Sequence, residues 1–299
     1  MVRKSDQVES TMRLVQDKFG SFVVQPLPSQ EVLNKHYRDT YYNGQHTNYP
    51  GKYSTEEITF FHFKDKVLDY FLARDLTREG KRLLDVGCGE GFTLDYFYEQ
   101  GWECFGADFS SEGIQKQNPS LLEKVRFQQT NIVTESYFDG QTFDVIVGNG
   151  ILEHVTDKKM VLSEFYEKLK SRGYLFVLVP NDFSVVHRQY LDERNAQVED
   201  APWVFPLEHL TYFSAKSLRA TLEHAGFETV SILTDFPIEQ FLLSNQSDFY
   251  ETDFGKSAHQ VRVKFMNLIA QDMPNAVRYC EASAEVGVGR CLMGIFKKA

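Results

Sequence analysis

The chain has 299 residues and a formal net charge of −10 at neutral pH, with ordinary apolar and charged fractions for a globular protein. The acidic balance argues against a broad nucleic-acid-binding face, which needs clustered Lys and Arg to neutralise phosphates. There is no run of about 18 apolar residues for a membrane span, and Met1-Val2-Arg3-Lys4-Ser5-Asp6 lacks the apolar core of a signal peptide.

The four cysteines, Cys88, Cys104, Cys280 and Cys291, lie far apart and form no C-x-x-C pair, so neither zinc nor a disulfide framework is expected. Reduced thiols in a cytoplasmic protein are the expectation.

Residues 1–55 precede the first central strand. Phe22-Val23-Val24 is short and apolar, and Pro26 and Pro28 follow. Ser29 is placed to cap a helix through roughly Tyr41, with Val32, Leu33 and Tyr37 on one face. The polar-aromatic loop from Tyr41 to Gly51 reads either as a solvated loop or as a lid. Ser54 and Glu57 have capping-box spacing, and the helix after them runs to about Ala73.

Arg82 to Phe92 is the stretch around which the chain is organised. Leu83, Leu84 and Val86 make a buried strand. Gly87, Gly89 and Gly91 form a turn where a Cβ is unwelcome, and a helix starts at Phe92. A loop at the carboxyl end of a parallel strand is where open α/β sheets bind nucleotide-like ligands. The spacing is Asp-x-Gly-x-Gly-x-Gly rather than the dinucleotide fingerprint G-x-G-x-x-G.

A second strand from Trp102 ends at Asp108, about 20 residues past the glycine loop, where a carboxylate can take ribose hydroxyls. Further strands fit Val125–Gln129, Phe143–Val147 and Tyr174–Val179, with a helix from about Asp157 that Gly173 breaks. Residues 183–212 are less regular. Ser214 caps a helix whose C′ residue is Gly226, and Phe227–Leu233 is a strand. Residues 236–284 read as a helical insertion, with Val261, Phe265, Leu268 and Ile269 at helical spacing, and Arg290–Phe296 is the last strand. Alternation of strands and helices of these lengths argues for βαβ units and a parallel sheet.

Taken together, Asp85 to Gly91, Asp108, Phe143-Asp144-Val145-Ile146 with Leu152-Glu153-His154-Val155, and Glu208-His209-Leu210 with Tyr212-Phe213-Ser214 resemble the class I S-adenosylmethionine (SAM) dependent methyltransferases. The resemblance covers about 80–235 and again 288–298. It is closest to the branch acting on small molecules, sugars, glycans and natural products.

The resemblance implies a Rossmann-like seven-stranded α/β sheet of order 3-2-1-4-5-7-6 with the last strand antiparallel, preceded by a helical N-terminal segment and interrupted by the helical insertion. The implied division is a segment 1–55, a SAM-binding core over 56–235 and 286–299, and an insertion 236–285 covering the acceptor site. It also implies roles. Asp85, Gly87, Cys88 and Gly89 would line the methionine part of SAM, Asp108 would take the ribose and Phe109 would flank the adenine. Asn131 and Ile132 would meet the adenine edge, although many relatives have Asp where Asn131 stands. Asn149 and Gly150 would sit near the transferred methyl.

For a hydroxyl acceptor a histidine is the natural base near neutral pH. His154 and His209 are the candidates, each also readable as an anchor for its loop or helix, with His187 a weaker third. Glu153-His154 also resembles ubiquinone-biosynthesis O-methyltransferases, which can carry metal ligands as Glu-x-x-Glu-His. Gly150 replaces the first acid here, and one carboxylate with one imidazole is a thin set for Mg²⁺, so no metal is expected. The expected activity is methyl transfer to a hydroxyl of a small molecule or glycan. The alternatives are a metal-assisted phenol or quinone O-methyltransferase, a nicotinamide-dependent oxidoreductase, and a non-catalytic SAM-binding subunit. The acceptor and the oligomeric state have no readable motif.

Overall fold

A computed structural model describes residues 12–36, 52–76 and 80–299. Strands β1 (Arg13–Gln16) and β2 (Phe22–Gln25) form an antiparallel hairpin. Helix α1 (Gln30–His36) follows and buries Leu33. Tyr37 and the Tyr41–Gly51 loop lie outside the described residues. The expected Ser54–Glu57 capping box closes on both sides. The helix behind it breaks at His62 into α2 (Thr55–Phe61) and α3 (Phe63–Leu72).

The core then alternates. Strand β3 (Arg82–Val86), helix α4 (Phe92–Glu99), strand β4 (Glu103–Asp108), helix α5 (Glu112–Gln117) and strand β5 (Arg126–Gln129) come first. Strand β6 (Phe143–Asn149), helix α6 (Lys158–Lys168) and strand β7 (Leu169–Pro180) follow. Next are α7 (Val185–Glu193), β8 (Thr211–Tyr212), α8 (Ala215–His224) and β9 (Phe227–Thr234). Helices α9 (Gly255–Ile269) and α10 (Met273–Val286) precede the last strand, β10 (Cys291–Lys298).

Seven strands form one sheet in the order β5-β4-β3-β6-β7-β10-β9, the expected 3-2-1-4-5-7-6. Strand β10 runs antiparallel to both neighbours, while β5, β4, β3, β6 and β7 pair in parallel. Because the central strands are buried on both faces, they read as apolar runs. One face packs Leu83, Val145, Val147, Phe176 and Met293 against α3, α4 and α10, and the other packs Leu84, Val86, Ile146 and Val177 against α6 and α8.

Two local readings differ from expectation. Helix α6 stops at Lys168 rather than Gly173, and the chain is already extended at Leu169. Opposite it, Phe143 pairs with Leu169 but Val145 pairs with Tyr174, so residues 170–173 bulge out of β7. Gly173 sits where a Cβ would lie 2.9 Å from the Lys170 carbonyl oxygen and 3.1 Å from that of Asp144. It permits a tight bulge rather than ending a helix. Residues 183–212 contain α7, capped by the Ser184 side chain. On α9, Val261 and Leu268 face outward at 41% and 62% exposure, and Ala258, Val263 and Met266 face the core.

The N-terminal hairpin was not foreseen. Strand β2 pairs with β8, making a second, three-stranded sheet. Among the described residues no helix is long and apolar enough to cross a membrane.

Candidate active site

At the carboxyl end of β3 the glycine loop borders a pocket of about 320 Å³. The loop's shape follows from its glycines. Gly87, Gly89 and Gly91 have φ of +70°, +53° and +79°, a region side chains avoid. At Gly87 a Cβ would lie 2.4 Å from Ile151 Cδ1, so the glycine also lets the next loop approach. Asp108 at the end of β4 reaches back, and its Oδ2 accepts from Gly89 N at 2.8 Å while Oδ1 accepts from Ser110 N at 2.9 Å. Burial raises the Asp108 pKa, against the pull of these N–H groups.

Of the expected donor-site residues, Asp85, Gly87, Cys88, Gly89 and Asn149 line the pocket. Asp85 is 2% exposed, and its buried Oδ1 has no hydrogen-bond partner. Burial pushes its pKa up to about 8, because the charged form loses its water and nearby Lys64 restores only part of that loss. A buried carboxyl oxygen without a partner at a pocket wall suits a cationic or donor group from a ligand.

The other expected residues lie along the same sheet edge but outside the pocket lining. Phe109 is 54% exposed directly after Asp108. Asn131 Oδ1 accepts from Val133 N at 3.0 Å, and Asn131 N donates to Glu135 Oε2 at 3.1 Å, so the side chain shapes its own turn and keeps one oxygen lone pair. Ile132 is half-buried beside it. Gly150 has φ of +69° and donates its N–H to the Leu178 carbonyl at 2.9 Å.

Several pocket residues had no sequence signal. Lys64 of α3 donates to Thr93 Oγ1 at 2.6 Å and to Asp65 Oδ1 at 2.9 Å. A lysine between Phe63 and the buried Asp65 was the one available hint. Glu90 accepts from the Tyr53 hydroxyl at 2.9 Å, and its pKa is raised by burial, which outweighs that bond. Phe60, Phe61 and Phe63 enter from α2 and α3, and Asp235, Arg262, Cys291 and Met293 come from the carboxyl-terminal third of the chain. Arg262 belongs to α9, which is tied to α2 by Asn267 Nδ2 donating to the Glu56 carbonyl at 2.8 Å.

The two histidines meet each other and do not line that pocket. His154 and His209 have ring centroids 5.0 Å apart. His154 Nδ1 lies 2.6 Å from the Glu208 carbonyl oxygen. A carbonyl only accepts, so Nδ1 carries the proton and Nε2 is the basic nitrogen. Burial lowers the His154 pKa to about 4, His209 adds to this, and the imidazole is neutral at pH 7.

His209 Nδ1 lies 3.5 Å from Asp182 Oδ2, an ion-pair distance rather than a hydrogen bond. Burial works against the imidazolium, yet the Asp182 carboxylate outweighs it and the His209 pKa is raised. Asp182 is 2% exposed, also pairs with Arg290, and has a lowered pKa because these cations overcome its burial. His187, the third histidine considered, is buried against Trp203 at a ring distance of 4.4 Å, with Nδ1 3.0 Å from Ser184 Oγ.

Glu153 completes the group. Its backbone carbonyl accepts from Leu210 N at 2.7 Å and Thr211 N at 3.2 Å, which holds the His154 turn against the His209 segment. Its carboxyl is 3% exposed, Oε2 has no partner, and burial raises its pKa to about 7. One donor atom from each of Glu153, His154 and His209 falls within 4.8 Å of the others. The cluster adjoins the pocket along the chain on two sides, through Asn149–Gly150 and through Arg290–Cys291.

Comparison with known proteins agrees with this frame. A methyltransferase-domain family profile matches residues 57–232, more than half of the chain, and the chain belongs to that family. It resembles the ubiquinone biosynthesis O-methyltransferase of Vibrio cholerae, with 30% identity over 112 residues, 36% of this chain and 46% of that protein. The corresponding protein of Chelativorans sp. is 33% identical over 105 residues, 34% of this chain and 42% of that protein. The chain thus matches under half the length of these relatives. Among solved structures, the plantazolicin methyltransferase BpumL, in complex with a monoazolic desmethylPZN analog and S-adenosylhomocysteine (SAH), matches with a TM-score of 0.54 and 17% identity. That match covers 89% of this chain and 93% of BpumL, a likeness of fold.

Proposed function

We propose that the protein is a SAM-dependent methyltransferase that methylates a hydroxyl group of a small molecule. SAM would bring an electrophilic methyl on a sulfonium, already a good leaving group. The donor site fits it. The glycine loop is bare of side chains where a ligand's backbone must lie close, and the unpartnered Asp85 Oδ1 suits the amino group of the methionine arm. Lys64, which also lines the pocket, suits its carboxylate. Asp108, Phe109, Asn131 and Ile132 lie along the same sheet edge in the order ribose and adenine require.

What remains for the protein is to orient the acceptor oxygen opposite sulfur and to take its proton. Holding two reactants in line supplies much of a transfer rate, and a positioned base adds about 10²–10⁴-fold. The observation that carries the hydroxyl reading is the Asp182–His209 pair, an imidazole held by a buried carboxylate that also pairs with Arg290, next in sequence to the pocket residue Cys291. His209 takes the proton, and the imidazolium so formed is stabilised by Asp182. His154, neutral and fixed by Glu208, orients the acceptor hydroxyl through Nε2. The names of the Vibrio and Chelativorans relatives support oxygen as the acceptor atom.

A second reading has one observation in its favour, the convergence of Glu153, His154 and His209. One carboxylate and two imidazoles suit a transition metal better than Mg²⁺, which prefers several oxygens. We favour the metal-free reading, because the Asp182 carboxylate holds His209 by charge as a base needs. The test is SAH release from SAM with phenolic and sugar acceptors, before and after exhaustive chelation. Turnover that survives chelation and falls at least about 100-fold in His209→Gln supports it. Turnover abolished by chelation and restored by one divalent metal refutes it.

A further inference from the structure

Part of the pocket lining is aromatic rather than polar. Phe60, Phe61 and Phe92 form an aromatic box, with Phe61–Phe92 ring centroids 5.2 Å apart and Phe60–Phe61 6.1 Å apart. Over the Phe60 face lies the Arg262 guanidinium, 5.0 Å from the ring centroid. Its orientation is fixed from behind. Nε donates to Asp235 Oδ2 at 2.8 Å, and Nη2 bonds the same oxygen. Asp235 Oδ1 accepts from Arg290 N at 3.0 Å and Cys291 N at 2.9 Å, so the carboxylate is itself tied to the start of β10. These bonds occupy two of the three guanidinium nitrogens and leave Nη1, with its two N–H groups, on a side chain 16% exposed at the pocket.

A rigid guanidinium above an aromatic wall presents donors to a planar oxyanion and a flat apolar surface to the ring carrying it. Building this device brings α9 to the pocket, where Asn267 ties it to α2.

We infer that Arg262 and the Phe60–Phe61–Phe92 box form an acceptor subsite for an aryl ring bearing a carboxylate. This rests on the methyltransferase reading above and adds the substrate class to it. Arg262 is a specificity-determining residue and touches no reacting atom. The carboxylate lies against Nη1, the ring stacks within the box, and the hydroxyl to be methylated points back towards Asn149 and the donor. Arg262 stays charged throughout the working range, because Asp235 outweighs the effect of its burial and raises its pKa.

The test is titration calorimetry on SAH-saturated protein with dihydroxybenzoate, catechol and dihydroxybenzylamine. The expected order is dihydroxybenzoate tighter than catechol by about tenfold or more, the scale of one charge-assisted hydrogen bond. The benzylamine should bind weakest. Arg262→Gln should erase the preference while SAH affinity stays unchanged. The double variant Asp235→Asn with Arg262→Gln keeps the pair's shape without its charges, so it guards against a misfolded single variant and should behave identically. The inference is overturned if the preference survives in both variants. It is equally overturned if dihydroxybenzoate fails to bind, or if the variants lose SAH affinity instead, which would place Arg262 on the donor's carboxylate. A wild-type protein that binds no SAH at all would bring down the methyltransferase reading itself, a result distinct from the other three.

Discussion

The contact between Gly87 and Ile151 offers the sharpest energetic test of the site. Gly87→Ala adds one methyl at a residue with φ of +70°, and that methyl would lie 2.4 Å from Ile151 Cδ1 and 3.4 Å from Cγ1. Two costs follow. Holding a non-glycine residue in the left-handed region costs about 1–2 kcal/mol, and overpacking an ordered core costs about 1–3 kcal/mol. The sum, about 2–5 kcal/mol, is a large share of the roughly 5–15 kcal/mol that holds a domain together. Ile151→Val deletes the offending Cδ1 and alone costs about 0.5–1.5 kcal/mol. In the double variant the overpacking cost should vanish while the backbone cost remains, so the two changes should couple favourably by about 1–3 kcal/mol. Urea unfolding of all four proteins measures this, provided the slope with denaturant is unchanged. Strict additivity, or a Gly87→Ala cost below about 1 kcal/mol, would refute the argument. Because Ile151 opens the turn that carries Glu153 and His154, Gly87→Ala should also slow turnover.

Other expectations follow from the site. With the His209 pKa raised by Asp182, its basic form accumulates only above the usual histidine value, so the rate should rise with pH through a midpoint above 6.5. Asp182→Asn should move that midpoint down, and an unmoved midpoint would remove His209 from the base role. The Asp85 carboxyl is raised from 3.8 to about 8 in the folded state, so its contribution to stability is fully present below pH 4 and is lost as pH rises towards 8. Asp85→Asn should flatten that part of the stability–pH curve and weaken SAH binding about tenfold or more, whereas an unchanged slope in thermal unfolding would count against the assignment. Ser214→Ala removes the side-chain cap of α8, whose Oγ accepts from Ser217 N at 3.2 Å, and should cost about 0.5–2 kcal/mol in chemical denaturation.

The individual strands were legible because apolar runs and glycine turns are local signals of a buried parallel strand, whereas their order in the sheet came from the family resemblance. The glycine loop was legible for the same reason, since Gly87 and Gly89 record in sequence a backbone that only glycine adopts readily. Features set by distant partners were not. The bulge at 170–173 exists because β7 must pair with β6, and nothing in Lys170-Ser171-Arg172-Gly173 announces that. The β1–β2 hairpin needs Thr211 and Tyr212 as its third strand. On α9 the helical spacing was readable, but not that Val263 and Met266 would take the buried face while Val261 and Leu268 stay exposed. His154 and His209 were visible as residue types, while their meeting depends on Glu153 accepting from Leu210 and Thr211. Arg262 gained its meaning only from Asp235 at the end of β9, across the pocket wall.

The placement of β10 has a consequence for how the protein comes into being. It is the last strand of the sheet in sequence, yet it lies between β7 and β9. Until it arrives, β9 has no hydrogen-bonded neighbour in the sheet, and Asp235 lacks the Arg290 and Cys291 amides that fix it. The same strand delivers Cys291 and Met293 to the pocket. A growing chain therefore carries a glycine loop long before it has a closed pocket. The pocket's lining is complete only once β10 is in place, so a molecule with a whole pocket is one whose sheet is already finished.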